Sequence, residues 1–466
     1  MYISPQFMAN RVQSLLNSPS IWVLTAIFAF VIGAQNNQKA WKSNSVIKYD
    51  VVSYYSYLPA AFIEEDITLS FINDSNAQAY VDHSQYWPMK APNGKRVIKA
   101  SMGMAVMYGP FFYVAHLITP HTSYEANGFT QVYQFAVLIS GLFYLFFGLL
   151  YLRKSLLLYY SERITAITIA VLYFGTNLLC YSTLEAAMSH EYNFFLFSVF
   201  IYFSILWHHQ QKIKYLLILG LIMGMLILVR PVNILFALFF VLYGLNKIDL
   251  IKPRFQLFIK YWWQILIIMA LSFLVFLPQM FYWKKLTDTY LFNSYIGEWF
   301  YFSKPHLLQC LLGFKKGWLI YTPIMAFALV GIYFLKKAKS NFFVISIVLI
   351  PLYFYVISSW WCWWYGGSFG LRAMIDLYPL LAFSLAAFLN AMLYQRKLCS
   401  KITILFISLF IALNLFQTIQ FHYNIIHYDG MNFKSYIDSF GKTSKADCDR
   451  TLLERPDYDR ALKGLD

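Results

Sequence analysis

Asp50, Arg230 and Arg372 are the residues of this 466-residue chain whose types and placement promise chemistry. Asp50 sits about fourteen residues beyond the first apolar stretch, at the head of a helical pattern. A carboxylate there has two readings. One is a helix N-terminal charge, contributing about 0.3–1 kcal/mol. The other is a general base that takes a proton from an incoming hydroxyl. Arginine matches phosphate oxygens in a two-pronged fork, and both arginines stand at the edges of apolar stretches. Arg230 precedes Pro231; Arg372 closes WWCWWYGGSFGLR, residues 360–372. Lys284, Lys285, Lys304, Lys315 and Lys316 are further cations at such edges, with the plainer reading of side chains snorkelling to lipid headgroups. His190 and Glu191 open another apolar stretch, either as functional groups or as a satisfied interfacial pair. Asp376 lies four residues after Arg372, a spacing that predicts a local ion pair along a helix.

The elements that must carry these groups are apolar. The chain is 59% hydrophobic and only 13% charged, with mean hydropathy +0.52. Soluble domains carry about 25% charged residues, so a soluble enzyme is excluded and a polytopic membrane protein expected. The net charge of +15 is scattered between apolar stretches, which fits membrane topology and argues against nucleic acid as a partner. The five cysteines lack metal-like or redox spacing. The N-terminus shows no cleavage pattern, so the first apolar segment is expected to be retained.

Apolar stretches fall near 20–36, 129–152, 163–182, 191–208, 215–230, 232–246, 258–281, 317–335, 342–358, 373–394 and 402–421. A twelfth, 102–119, contains Gly103, Gly109 and Pro110. Left out as an interfacial or re-entrant helix, it places the cation-rich connectors 153–163, 212–214, 247–260, 336–339 and 396–401 all on one side. The positive-inside rule favours that solution: 11 spans, a cytoplasmic N-terminus (1–19), a membrane domain (20–421) and a C-terminal tail (422–466) on the outer face. The outer face then collects a first loop, 37–128, a second, 282–316, and the aromatic stretch. Loops that long are uncommon unless functional. Within the first loop, Val51, Val52, Tyr55, Leu58 and Phe62 make one apolar face, with Asp50, Tyr54, Tyr57 and Glu65 opposite. That pattern predicts an amphipathic helix lying on the membrane surface. No internal repeat is evident.

The order of these pieces, together with GLIMGMLILVRPVN (220–233), LPQMFYWK (277–284), FKKGWLIYTPI (314–324) and WWYGGSFGLRAMIDLYP (363–379), resembles bacterial integral-membrane glycosyltransferases of the GT-C class. That class includes protein O-mannosyltransferases and the lipid A aminoarabinose transferase. The resemblance implies an all-α polytopic membrane protein, a GT-C-like bundle of about 11 transmembrane helices. It implies a polyprenyl-phosphate-linked sugar donor and a hydroxyl acceptor on lipid, glycan or protein. Asp50 matches the acidic residue that activates the acceptor; Arg230, Arg372, Lys284 and Lys316 match the basic residues that hold the donor phosphate. Neither a metal nor another cofactor is implied. One departure is that Val51, not a second acid, follows Asp50, which argues against a protein acceptor.

The substrate-facing set expected on this footing is Tyr54, His190, Glu191, Tyr321, Trp364, Tyr365, Gly366 and Gly367. Aromatic rings of the 360–372 stretch would stack on sugars and isoprenoid, while its glycines admit close backbone approach; an interfacial aromatic belt is the alternative. A transporter or flippase for lipid-linked sugar is the rival reading, and it would place its groups near the bilayer midplane. A non-catalytic scaffold on a degenerate transferase fold is the other. The tail is expected to cap the cavity or bind a partner.

Overall fold

The computed structural model describes residues 18–72, 86, 88–395 and 397–465. Its helices are α1 (Pro19–Gln38), α2 (Asp50–Tyr55), α3 (Tyr57–Phe62), α4 (Gly103–Ile118), α5 (Gln131–Leu156), α6 (Glu162–Phe174), α7 (Leu178–Thr183), α8 (Ser189–Gln210), α9 (Ile213–Val229) and α10 (Ala237–Leu242). They continue as α11 (Ile251–Lys260), α12 (Trp262–Thr287), α13 (Leu307–Leu312), α14 (Trp318–Tyr321), α15 (Met325–Lys337), α16 (Phe343–Ser358), α17 (Tyr378–Gln395), α18 (Lys397–His422), α19 (Phe433–Ser439) and α20 (Tyr458–Leu462). Among the described residues the one sheet is an antiparallel hairpin, β1 (Pro88–Lys90) with β2 (Arg96–Ile98), in which Met89 faces Val97.

Five segments are long and apolar enough to cross a membrane: Pro19–Gln38, Gln131–Leu156, Trp262–Thr287, Arg372–Tyr394 and Cys399–His422. Each matches an expected stretch, and at about 1.5 Å per residue each approaches or exceeds the ~30 Å hydrocarbon core. Several other expected stretches are interrupted. The run 163–182 is α6 and α7, parted at Gly175; 317–335 is α14 and α15, parted around Pro323; 232–246 opens as a 3-10 turn, Pro231–Phe236, before α10. At the second and third, proline lacks the N–H a helix interior needs, so these two breaks follow from local chemistry that a hydropathy window averages away.

The Arg372–Tyr394 segment is the centre of the bundle, with residues 372–389 almost wholly buried. α17 packs on α15, α6, α18 and α8, while α9 runs along α12 and α8 along α5. α12 turns Leu266, Met269, Phe273 and Leu274 outward, as suits a lipid-facing helix. Close packing of α9 on α12 depends on Gly220 and Gly224, four residues apart. A Cβ on Gly224 would lie 2.7 Å from the Val275 Cβ and 2.9 Å from the Ser272 carbonyl oxygen. Small residues at this spacing let helix backbones approach where no water drives association. Gly224→Leu is expected to destabilise the fold by about 1–3 kcal/mol through overpacking. Gly33→Leu, whose Cβ meets nothing within 4 Å, should be neutral. Thermal unfolding of both variants in detergent is the check, and equal midpoints would refute the packing argument.

The first loop departs from the surface helix expected of it. Residues 50–62 form two short helices, α2 and α3, joined at Ser56, and Val51 through Ala60 are buried on every side. Tyr54 and Tyr57, placed on the polar face by pattern, lie inside. The later part of the loop covers them. The Tyr57 hydroxyl donates to the Ala100 carbonyl (2.8 Å), the Tyr55 hydroxyl to the Gly128 carbonyl (2.5 Å), and the Ala100 N–H to the Ser53 hydroxyl (2.9 Å). Tyrosine fits such a place because its ring is apolar and its hydroxyl finds a carbonyl.

Candidate functional site

The loops at one end of the helices converge on Asp50. Tyr49 has a positive φ (51°), and Asp50 follows as the first residue of α2. Its carboxylate accepts a hydrogen bond from the Arg372 guanidinium at 2.8 Å. The Asp50 side chain is 38% exposed although packed in by protein, whereas that of Arg372 is 10% exposed; the carboxylate therefore opens onto a cleft and the arginine forms its floor. Burial pushes the Asp50 carboxyl up. The charge and hydrogen bond of Arg372, with Lys99 and Arg230 farther off, outweigh it and hold the group below the usual carboxylate range. Tyr54, one turn on, is pushed up by burial and then by Asp50.

Beneath this pair lies a second, denser network. Asp376 is fully buried and accepts from His190 Nδ1 (2.9 Å), Asn193 Nδ2 (2.9 Å), the Tyr353 hydroxyl (3.2 Å) and Arg230 Nη1 (3.3 Å). With Nδ1–H directed at the carboxylate, His190 Nε2 holds a lone pair facing Arg230 Nη2 at 3.5 Å. Asn233 donates to Asn193 at 3.0 Å. A buried carboxylate is tolerated only when so enclosed. Arg230 caps the network with 19% of its side chain exposed, which leaves an edge of the guanidinium accessible.

The local Arg372–Asp376 ion pair does not form. Residues 372–377 wind as a 3-10 helix, at about 3.0 residues per turn. The i+4 side chain then leaves the arginine's face, so Arg372 points to Asp50 and Asp376 to His190. The aromatic stretch also differs from expectation. Trp364 is fully buried, its ring edge against Tyr458 and its Nε1 3.4 Å from the Tyr458 hydroxyl, and Trp363 is buried beside it. Tyr365 (φ 57°) and Gly366 (φ 62°) turn the chain back on itself, and the Tyr365 hydroxyl donates to the Ile357 carbonyl at 3.0 Å. Gly367 lies against the Tyr428 ring. The tail thus roofs the stretch, and Trp363, Trp364 and Phe369 serve the core, while Trp360, Trp361 and Tyr365 are half-buried.

Lys316 is buried and donates to the carbonyls of Ser368 and Tyr428, joining the second loop, the aromatic stretch and the tail. Burial lowers its amine to about 7, opposed by Asp429 and assisted by Arg372. A neutral amine still has two N–H bonds for two carbonyls. The folded state then binds fewer protons than the unfolded one between about pH 7 and lysine's usual 10.5, so stability from this group rises with pH across that window. The unfolding free energy of the wild type, less that of Lys316→Met, is expected to climb from pH 7 to 9, at no more than about 1.4 kcal/mol per pH unit. A flat or falling difference would refute it.

Other expected residues stay apart from the cleft. Glu191 follows His190 on α8 and so turns to a different side, toward Gly141, where both its oxygens are buried without a hydrogen-bond partner among the described residues. Lys284 is exposed at the end of α12 and donates to the Asp288 carbonyl at 2.6 Å. Tyr321 is buried and donates to the Phe314 carbonyl at 2.7 Å.

The structure adds groups that pattern did not single out. Lys99 pairs with Glu298 (2.5 Å), which also accepts from Trp361 Nε1 (3.0 Å), so this bridge ties both long loops to the aromatic stretch. Glu185, beside Lys48 at 3.9 Å, is pushed up by burial, against the pull of Lys48 and Arg372. Asn193 stands three residues after His190, a polar i, i+3 pair in an apolar helix that was there to be read. Among the described residues no three His, Cys, Asp or Glu side chains cluster as metal ligands. Neither protein-family models nor curated proteins give a match to the chain.

Proposed function

We propose that this protein is an integral-membrane glycosyltransferase that moves a sugar from a polyprenyl-phosphate-linked donor to a hydroxyl acceptor at the outer face of the cytoplasmic membrane. Its bundle would have about 11 spans and a cytoplasmic N-terminus. The observation that carries this reading is the contact between Asp50 and Arg372, which joins a base and a phosphate-matching cation from distant parts of the chain in one open cleft, with the Arg230 edge near them. In the reaction the acceptor oxygen bonds to the anomeric carbon while the bond from that carbon to the phosphate oxygen breaks. Asp50 takes the acceptor proton, and polyprenyl phosphate leaves carrying the bonding electrons. Arg372 and Arg230 lie where negative charge develops, which favours the transition state over the ground state. A single displacement from the face opposite the departing phosphate inverts the anomeric centre.

A flippase fits less well, because the accessible charged groups gather at the ends of the helices and not midway along them. The direct test supplies the purified protein in nanodiscs with a panel of polyprenyl-phosphate sugars and crude envelope acceptors. Release of free polyprenyl phosphate that depends on the acceptor is the expected result. Transbilayer movement of the donor without bond cleavage would favour transport instead.

A further inference from the structure

The tail contains a second charged cleft that the transfer reaction does not use. It is an open groove of about 570 Å³ lined by Asn424, His427, Lys445, Arg450 and Arg455, among others. Arg450 is anchored through Nη2 on the Asn424 carbonyl, and its Nε is buried without a partner among the described residues. Lys445 and Arg455 form no ion pair with any described residue and are exposed. His427 Nδ1 accepts the N–H groups of Asp429 (3.3 Å) and Gly430 (3.0 Å), so its ring proton sits on Nε2. Of the nearby carboxylates, Asp429 accepts from the Tyr458 hydroxyl through Oδ2 (3.3 Å) and sets Oδ1 3.2 Å from His427 Nδ1, and Asp449 caps the Thr451 N–H (2.9 Å). What remains open is a set of donors with three positive charges, suited to a phosphate.

Its position specifies the source of that phosphate. The cleft begins two residues after α18, one of the segments apolar enough to cross a membrane. Beside it, α19 and the residue after it expose Phe433, Ile437 and Phe440, while Ser435, Tyr436 and Ser439 are buried. These three apolar residues fall at i, i+4 and i+7, one stripe of a helix, as in segments that lie in the membrane interface. A basic cleft flanked by an exposed apolar stripe at the end of a spanning helix fits a lipid headgroup better than a soluble anion. We propose that this cleft holds the phosphate of an anionic phospholipid, with the Phe433, Ile437 and Phe440 stripe seated in the same leaflet.

Native mass spectrometry of the full chain, released from mixed phosphatidylglycerol and phosphatidylcholine micelles, tests this. The wild type should retain phosphatidylglycerol selectively. The Lys445→Gln, Arg455→Gln double variant should retain it about 25-fold less, each surface cation contributing a factor of about five. Arg450→Gln should lose it too, but Arg450 also holds the chain at Asn424; the double variant breaks no side-chain hydrogen bond or ion pair among the described residues and is therefore the decisive comparison. Equal retention by wild type and double variant overturns the proposal. So does displacement of the lipid by millimolar inorganic phosphate, which would make the ligand a soluble anion. The readout is bound lipid and not turnover, so it stands or falls separately from the transferase reading.

Discussion

Asp50→Asn is expected to lower acceptor-dependent turnover by about 10²–10⁴-fold, the range a positioned general base supplies, while donor binding changes only a few-fold. The substitution suits the question because asparagine has nearly the same shape. Its Oδ1 still accepts from Arg372 Nη2 where the carboxylate now does at 2.8 Å, so the guanidinium stays at the cleft floor. Only the charge and the ability to take a proton are removed. The competing reading, a helix N-terminal charge, predicts a different result. Turnover would be near normal, and stability would fall by about 0.3–1 kcal/mol. Measuring initial rate, donor binding and thermal midpoint on one preparation separates the two. The pH profile adds a second check. Because Arg372 holds the Asp50 carboxyl below the usual range despite burial, the group stays ionised through mildly acid conditions. Loss of kcat/KM from protonation of Asp50 should therefore not begin until pH falls below about 4, the ordinary carboxylate value. Donor phosphate on Arg372 would share the guanidinium and let Asp50 become more basic, so the acid limb of kcat should lie above that of kcat/KM. An acid limb of kcat/KM near neutrality, abolished in Asp50→Asn, would contradict the ion pair as the resting state.

How much of this was legible follows from the range of each interaction. Asp50, Arg230, Arg372 and His190 stood out because charge is conspicuous against apolar sequence, and the structure draws all four to one end of the bundle. Their pairing was not legible. Asp50 and Arg372 are 322 positions apart, and no local pattern encodes such a contact. Asp376 was assigned to Arg372 because spacing rules assume an α-helix, whereas the segment winds as a 3-10 turn. The surface reading of α2 and α3 failed for another reason. Helical periodicity reports which side chains share a face, but a face of tyrosines is compatible with water, lipid or a covering loop, and here the loop's own carbonyls accept their hydroxyls. Trp364 was likewise misplaced because the tail residue that covers it, Tyr458, lies 94 positions away. Hydropathy located the five long apolar helices but passed over breaks at Gly175 and Pro323, where one residue outweighs the average of its neighbours.

The largest stability effect is expected at Asp376. Asp376→Ala should destabilise the protein by about 3–5 kcal/mol, because removing one partner from a buried charge network leaves the other uncompensated. Here the orphans are Arg230, the Nδ1–H of His190 and the Asn193 amide, all directed at the missing carboxylate. Water reaches them poorly, since Asp376, His190 and Asn193 are fully buried. The same logic predicts that a second substitution relieves part of the damage. Adding Arg230→Met removes the unpaired charge, so the double variant should be less destabilised than the two single losses summed, by about 0.5–3 kcal/mol. Thermal or denaturant unfolding of the four species measures that coupling directly. Additive losses would mean that the 3.3 Å Arg230–Asp376 contact contributes nothing, and that the arginine is held by its place at the end of α9. The distinction matters for the chemistry as well. If Asp376 and His190 set the Arg230 guanidinium in place, its free edge is preorganised toward the cleft, and charge that is already oriented stabilises a departing phosphate more than charge that must first be recruited. Strong coupling in the unfolding cycle would then make Arg230 a second fixed cation of the cleft, set by the buried network around Asp376.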